Sequence, residues 1–243
     1  MSQQTYLQAV NKVLVNLRES AVTDLSAPYS LLLGEFLNQA KEKVEAAWRW
    51  KNLTTSLTFT TVLNQIIYPL TAVGTPPVAS TSSNYPDDNR AEILVDEENR
   101  PQVFDVTTAA SGGLIRLSRL AREIEFARNI YLADQSPVQP NAFSFYTENG
   151  TAFFNLVGAP VAGRSMLLRV KVPQPQFSVG TEVFLCPWRP VVSFATYLAM
   201  EERGEELSEK STLYLDRHNQ ELERAIETDT AGEDGYMQLK NLD

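Results

Sequence analysis

One histidine, one cysteine and a run of glutamates are the side chains of this 243-residue sequence that bear most directly on chemistry. His218 is the only imidazole, so any Ser–His–Asp or Cys–His triad would depend on it. It falls among Tyr214, Leu215 and Leu222 on the apolar side of a helical pattern, which predicts a packed, hydrogen-bonded histidine rather than a general base. Cys186 is the single thiol, which excludes an intrachain disulfide, argues against a cysteine-based metal site and fits a reducing interior. Glu201, Glu202, Glu205, Glu206 and Glu209 place carboxylates at helical spacing, but without a neighbouring histidine they read as a solvated charge run. Neither GxxxxGKS/T nor GxGxxG occurs, and the Ser–Gly–Gly at 111–113 makes only a turn. The expectation is a protein without catalytic set, metal or cofactor.

The most basic segment holds Arg116, Arg119, Arg122 and Arg128, with a helix expected over 119–131. Two readings stand: an exposed helix face paired with Glu123 and Glu125, or a surface for an anionic partner such as DNA phosphates. The net charge is −9, and residues 201–243 carry 13 acidic against 5 basic side chains. The acidity is therefore a C-terminal property, and that end would repel phosphates. The longest apolar runs fall short of the roughly 18–20 residues that span a bilayer, and the N-terminus lacks the pattern of a leader, so a soluble protein without membrane contact is expected.

The elements that must position these residues begin with a long amphipathic helix over 28–50. Leu33, Phe36, Leu37, Ala40, Val44, Ala47 and Trp48 share one side, with Ser26 as a cap and Pro28 in the first turn. A helix over 4–19 precedes it across a short connection, so the two are expected to pair as an antiparallel hairpin. From Leu53 the period changes to two: a strand around Leu57 and Phe59 is expected to turn at Asn64–Gln65 into a second at Ile66, Ile67 and Tyr68 as a hairpin. Residues 71–90, proline-punctuated and poor in large apolar groups, read as disordered or as a contact loop. Further strands are expected at 91–95, 102–107, 114–117 and 166–172. The Asn149–Gly150 turn joins a hairpin rich in phenylalanine, with Phe143, Tyr146, Phe153 and Phe154 as core. After Cys186 the period returns to 3.6 for two helices split near Gly204.

The fold class expected is α+β: a helical bundle from both ends of the chain with an inserted antiparallel β-barrel or sandwich-like domain. Its parts are an N-terminal hairpin at 1–52, the β-rich domain at 53–186, C-terminal helices at 187–228 and an extended tail at 229–243. Tyr236, Met237 and Leu239 lie in that tail, which cannot bury them by itself and has the character of a segment that orders on a partner.

This order of parts resembles the head-to-tail adaptor, or tail tubular protein A, family of short-tailed bacteriophages. The likeness runs through AAWRWKN at the helix–strand junction, NQIIYPL, PNAFSFYTENG, MLLRVKVPQP, and the paired helices with an ERG at 202–204. The proline-rich loop at 71–90 has no place in that pattern. The resemblance implies a virion protein assembled in the host cytoplasm, a ring of twelve copies between portal protein and tail nozzle, with tail fibres as further neighbours and DNA passing without specific binding. It implies portal contact through Tyr214, His218, Tyr236, Met237 and Leu239, and tail-side contact through Pro76, Pro77, Tyr85 and Asn149. The other readings are a nucleic-acid-binding accessory protein using 116–128, and a neck or head-completion protein of a long-tailed phage.

Overall fold

The computed structural model describes residues 4–69, 92–96, 98–108, 113–121, 139–148, 151–158, 160–204 and 209–240. It is a mixed α/β structure that divides into two units, Met1–Asn52 with Gln176–Asp243, and Leu53–Pro175.

The first unit holds the four α-helices of the described residues: α1 (Tyr6–Asn16), α2 (Pro28–Ala47), α3 (Trp188–Glu202) and α4 (Glu209–Lys240). At the start of α1 the Gln8 N–H donates to the Thr5 hydroxyl while the Thr5 N–H donates to the Gln8 side chain, so two orphan donors are satisfied reciprocally. Pro28 occupies the first turn of α2, but Ser26 does not cap it. Its N–H is taken by Asp24 at 2.8 Å, and Ala27 holds the cap position. Leu33, Leu37, Ala40 and Val44 are fully buried, as the helical period predicts. The helix ends at Ala47, which is exposed, because Trp48 takes extended backbone. The indole of the buried Trp50 then folds back and donates to the Val44 carbonyl at 2.7 Å, supplying one of the partners a helix C-terminus lacks. Helix α3 packs on α1, α2 and α4 and ends at Glu202; after the cap residue Arg203 comes Gly204, whose φ of 76° is a conformation that side chains disfavour.

Two corrections concern this unit. Gln176–Asp243 belongs with the helices, so the boundary expected after Cys186 lies earlier. The cause is burial: Phe177 and Phe184 stack edge-on at 4.8 Å, and Tyr6 meets Phe177 at 5.4 Å. Asn38 of α2 brackets Phe177, donating to its carbonyl at 3.0 Å and accepting from its N–H at 2.9 Å. Helix α4 also runs on to Lys240 where an extended tail from 229 was expected. No proline interrupts it, and Gly232 and Gly235 cost only about 1 kcal/mol each in a helix.

The second unit carries nine strands among its described residues. β1 (Thr54–Thr60), β3 (Glu92–Ile93), β4 (Val103–Thr108), β5 (Gly113–Arg116) and β9 (Ser165–Lys171) form one sheet, in which β9 pairs with β1, β3 and β4. β2 (Ile67–Pro69), β8 (Thr151–Leu156), β7 (Ala142–Glu148) and β6 (Ser118–Arg119) form the other, in that order. Alternation along β9 turns Met166, Leu168 and Val170 inward, with Leu57 opposite Leu168. They meet Tyr68, Phe143, Phe154 and Leu156 of the second sheet in one buried cluster. Phe143 and Phe154 are thus core, while Tyr146 and Phe153 stack at 5.4 Å and are only half-buried.

Among the described residues neither sheet closes into a barrel. The hairpin expected between β1 and β2 is not formed either, since β1 pairs with β9 and β2 with β8. The chain changes sheet at 61–66, where Asn64 has φ 61° and the Val62 N–H donates to the Tyr68 hydroxyl at 3.0 Å. The helix expected over 119–131 begins instead as strand, because Ser118 and Arg119 pair in parallel with Ala142 and Phe143; residues 122–131 lie outside the described set. The β7–β8 hairpin is present with Glu148 opposite Thr151, and Asn149 and Gly150 themselves are not described.

Candidate functional site

The side chains that converge in the helical unit come from α1, α3 and α4. An open cleft of about 650 Å³ lies among them, lined by Lys12, Asn16, Trp188, Arg189, Arg217 and Glu221 with others. A neighbouring cleft of about 290 Å³ shares Trp188, Arg189 and Glu221 and adds Arg224. Lys12 Nζ sits 5.4 Å from the Trp188 ring and the Arg189 guanidinium 5.6 Å from it, so one indole faces two cations. The floor is held by hydrogen bonds. Ser193 donates to Glu221 at 2.7 Å, Arg217 donates to the other Glu221 oxygen at 3.0 Å, and Asn16 donates to Thr196 at 3.1 Å. Among the described residues Glu221 is the one carboxylate lining these clefts, against four cations, and Arg217 alone of the four is ion-paired. In a chain of charge −9 this is a locally positive surface.

Helix α4 is fixed at two further levels. His218 is 1% exposed, with Nδ1 2.9 Å from the Pro190 carbonyl. A carbonyl only accepts, so Nδ1 carries the proton and donates, which leaves Nε2 as a buried acceptor without a partner among the described residues. Its ring tilts against Phe194 at 4.9 Å, and Lys43 caps the same phenylalanine at 3.7 Å. Burial pulls the imidazole below its ordinary pKa, outweighing the Pro190 hydrogen bond. Further along, the Trp48 indole donates to the Asp229 carboxylate at 3.1 Å and the Lys51 ammonium donates to the Asp229 backbone carbonyl.

The predicted site residues separate accordingly. His218 is a packed helix contact, 1% exposed within the chain. Tyr214 is half-buried on α4. Tyr236, Met237 and Leu239 fall in the last turns of α4, and their side chains are not among those described. Pro76, Pro77, Tyr85 and Asn149 lie outside the described residues, as do Arg122 and Arg128. Arg119 is exposed on β6. Arg116 is not available to an outside anion: it pairs with Asp96 and stacks on Phe104 at 5.1 Å, while Arg100 joins the same aspartate at 2.9 Å. Its partner Asp96 comes from the turn after β3, and Glu123 and Glu125 lie outside the described residues. Cys186 is buried, and burial pushes its thiol pKa far up, which makes it unreactive. Among the described residues no group of three or more His, Cys, Asp or Glu side chains is placed to hold a metal ion, and no helix is long and apolar enough to cross a membrane.

The cleft residues Lys12, Trp188 and Arg189 were missed in the sequence. No short window holds them, and the one available signal was a Trp–Arg pair at the head of a helix. No protein-family model matches this chain, and no curated protein matches it either.

Proposed function

We propose that the chain is a structural virion protein, a head-to-tail adaptor of the tail tubular protein A kind, forming a ring between a portal protein and the tail of a short-tailed bacteriophage. In this reading α1 to α4 make a bundle contributed by both ends of the chain, and the strand-rich unit is an insertion that meets the tail nozzle. The protein acts by binding its neighbours and leaving a passage for DNA, and it performs no chemistry.

The observation that carries the reading is the course of α4. It is anchored by His218 on Pro190 and by Trp48 and Lys51 on Asp229, and then continues as helix to Lys240, so Tyr236, Met237 and Leu239 fall in an ordered element instead of a loose tail. A 32-residue helix ending in apolar residues suits insertion into a groove of another protein. The order of sequence segments that resembles the adaptor family supports the same conclusion.

The test is the mass of the purified protein by light scattering, alone and after mixing with portal rings from the same source. The adaptor reading expects subunits to join the portal as a ring, and a chain truncated before Thr230 to fail to do so. A protein that ignores the portal but binds DNA with steep salt dependence would overturn it and make the exposed Arg119 region the site to pursue.

A further inference from the structure

The cationic cleft has its complement in the same chain. Helix α3 begins at the cleft with Trp188 and Arg189 and ends at Glu202, beside the glutamate-rich sequence 201–209. A rise of 1.5 Å per residue puts Arg189 and Glu202 about 20 Å apart along the helix, and Arg217 and Glu209 of α4 about 12 Å apart. Both separations exceed the screening length of about 8 Å at physiological salt, so the acidic end does not neutralise the cleft within one chain. Two cations adjoin those glutamates in sequence: Arg203 is already held by Glu19 at 2.9 Å, and the exposed Lys210 follows Glu209, leaving the cluster from Glu201 to Glu209 with five carboxylates against them. Glu202 and Glu209 are exposed, and among the described residues neither forms an ion pair.

From this geometry we infer that the cleft formed by Lys12, Trp188, Arg189 and Arg217 receives the acidic end of α3 and α4 of a second copy of the chain. Socket and plug lie at different places on one molecule, so the contact is heterologous, and repeated it closes a ring or runs on as a filament. Opposed charges fix the direction of docking, and the Trp188 indole between Lys12 and Arg189 supplies an apolar anchor at the centre of the contact. The inference rests on the proposed ring for its biological setting, and names the copy-to-copy contact within it.

Charge reversal tests it on the full chain. Lys12→Glu with Arg189→Glu reverses the socket, and Glu202→Lys with Glu209→Lys reverses the plug. All four positions are exposed, so the variants are expected to keep the wild-type melting temperature. Self-association is read by sedimentation at low and physiological salt, alone and on portal rings, and carbodiimide crosslinking of mixed isotope-labelled and unlabelled protein identifies the joined residues. The expected result is a crosslink from Lys12 to Glu202 or Glu209 between copies, association weakened about tenfold or more by either reversal, and recovery when all four changes are combined. A fourfold variant no better than either pair, crosslinks of Lys12 only within one copy, or a wild-type protein that stays monomeric under every condition would overturn it. Reversed subunits that still form a normal ring on the portal would sink this contact and leave the adaptor reading standing. Charge-dependent self-association without portal binding would do the opposite.

Discussion

Asn38→Ala is the substitution whose cost the structure specifies most closely. Asn38 is 2% exposed and makes two hydrogen bonds with the backbone of Phe177, one as donor and one as acceptor. Alanine removes both and leaves a buried N–H and a buried C=O without partners. Each such group costs about 1–3 kcal/mol, so the variant is expected to lose about 3–4 kcal/mol. Total stability is only about 5–15 kcal/mol, and for a chain of this size the change corresponds to a drop in Tm of about 10 °C. Urea unfolding followed by tryptophan fluorescence measures it, because Trp48, Trp50 and Trp188 all lie in the helical unit. Asn38→Asp separates hydrogen bonding from volume. A carboxylate accepts from the Phe177 N–H but cannot donate to its carbonyl, whereas the protonated acid does both. That side chain therefore favours its neutral form when folded, its pKa rises, and its contribution is present at low pH and lost as pH rises through the folded value. Relative to wild type, the aspartate variant is expected to recover between pH 7 and pH 4. An alanine variant that loses less than about 1 kcal/mol, with an aspartate variant indifferent to pH, would refute the reasoning by showing that water reaches Phe177.

Three further changes probe other parts of the fold. Because burial lowers the His218 pKa, the unfolded chain binds more protons just below the ordinary value near 6.5, so the urea midpoint is expected to fall as pH drops from about 6.5 toward 5, and His218→Gln to flatten that slope. Gly34→Ala places a methyl group against the Tyr6 hydroxyl and 3.2 Å from its Cζ, and is expected to cost about 1–3 kcal/mol in a thermal melt; Tyr6→Phe in the same chain should return most of it. Arg164→Met leaves the buried Asp105 carboxylate with only Thr107 and a long contact to Gln139. The expected loss is about 3 kcal/mol, read by chemical denaturation, and a neutral result would mean that water replaces the guanidinium.

The helices were legible because each states its own face. Leu33, Leu37, Ala40 and Val44 recur with the helical period, and all four are fully buried. The polar residues of the same face were not legible, since Asn38, Lys41 and Glu45 break the apolar pattern and are buried only because partners meet them. Lys41 and Glu45 lie 3.5 Å apart, and Lys41 also faces the Phe177 ring at 5.0 Å from a segment far along the chain. Strand existence was similarly visible and strand pairing was not. Thr54–Thr60 and Ile67–Pro69 are close in sequence with a turn signal between them, yet they pair elsewhere, β1 along its whole length with β9 and β2 with β8. A three-residue strand gains little from a local hairpin and more from placing Tyr68 in the core beside Phe154.

Charge shows the same limit from the opposite side. The arginines of 116–128 attract notice because they are contiguous, but a charge acts through its surroundings, and Arg116 is answered by an aspartate twenty residues earlier in the chain. Lys12, Arg189 and Arg217 are each unremarkable in their own windows, yet three helices bring them to one cleft where a single carboxylate opposes them among the described residues. An exposed ion pair is worth only about 0–1 kcal/mol, so the attraction of such a surface depends on several cations being gathered in one place. A sum along the sequence gives a chain of −9 that should repel anions. The sum in space gathers cations at the start of α3 and leaves exposed carboxylate at its end, and the inferred head-to-tail contact uses that asymmetry.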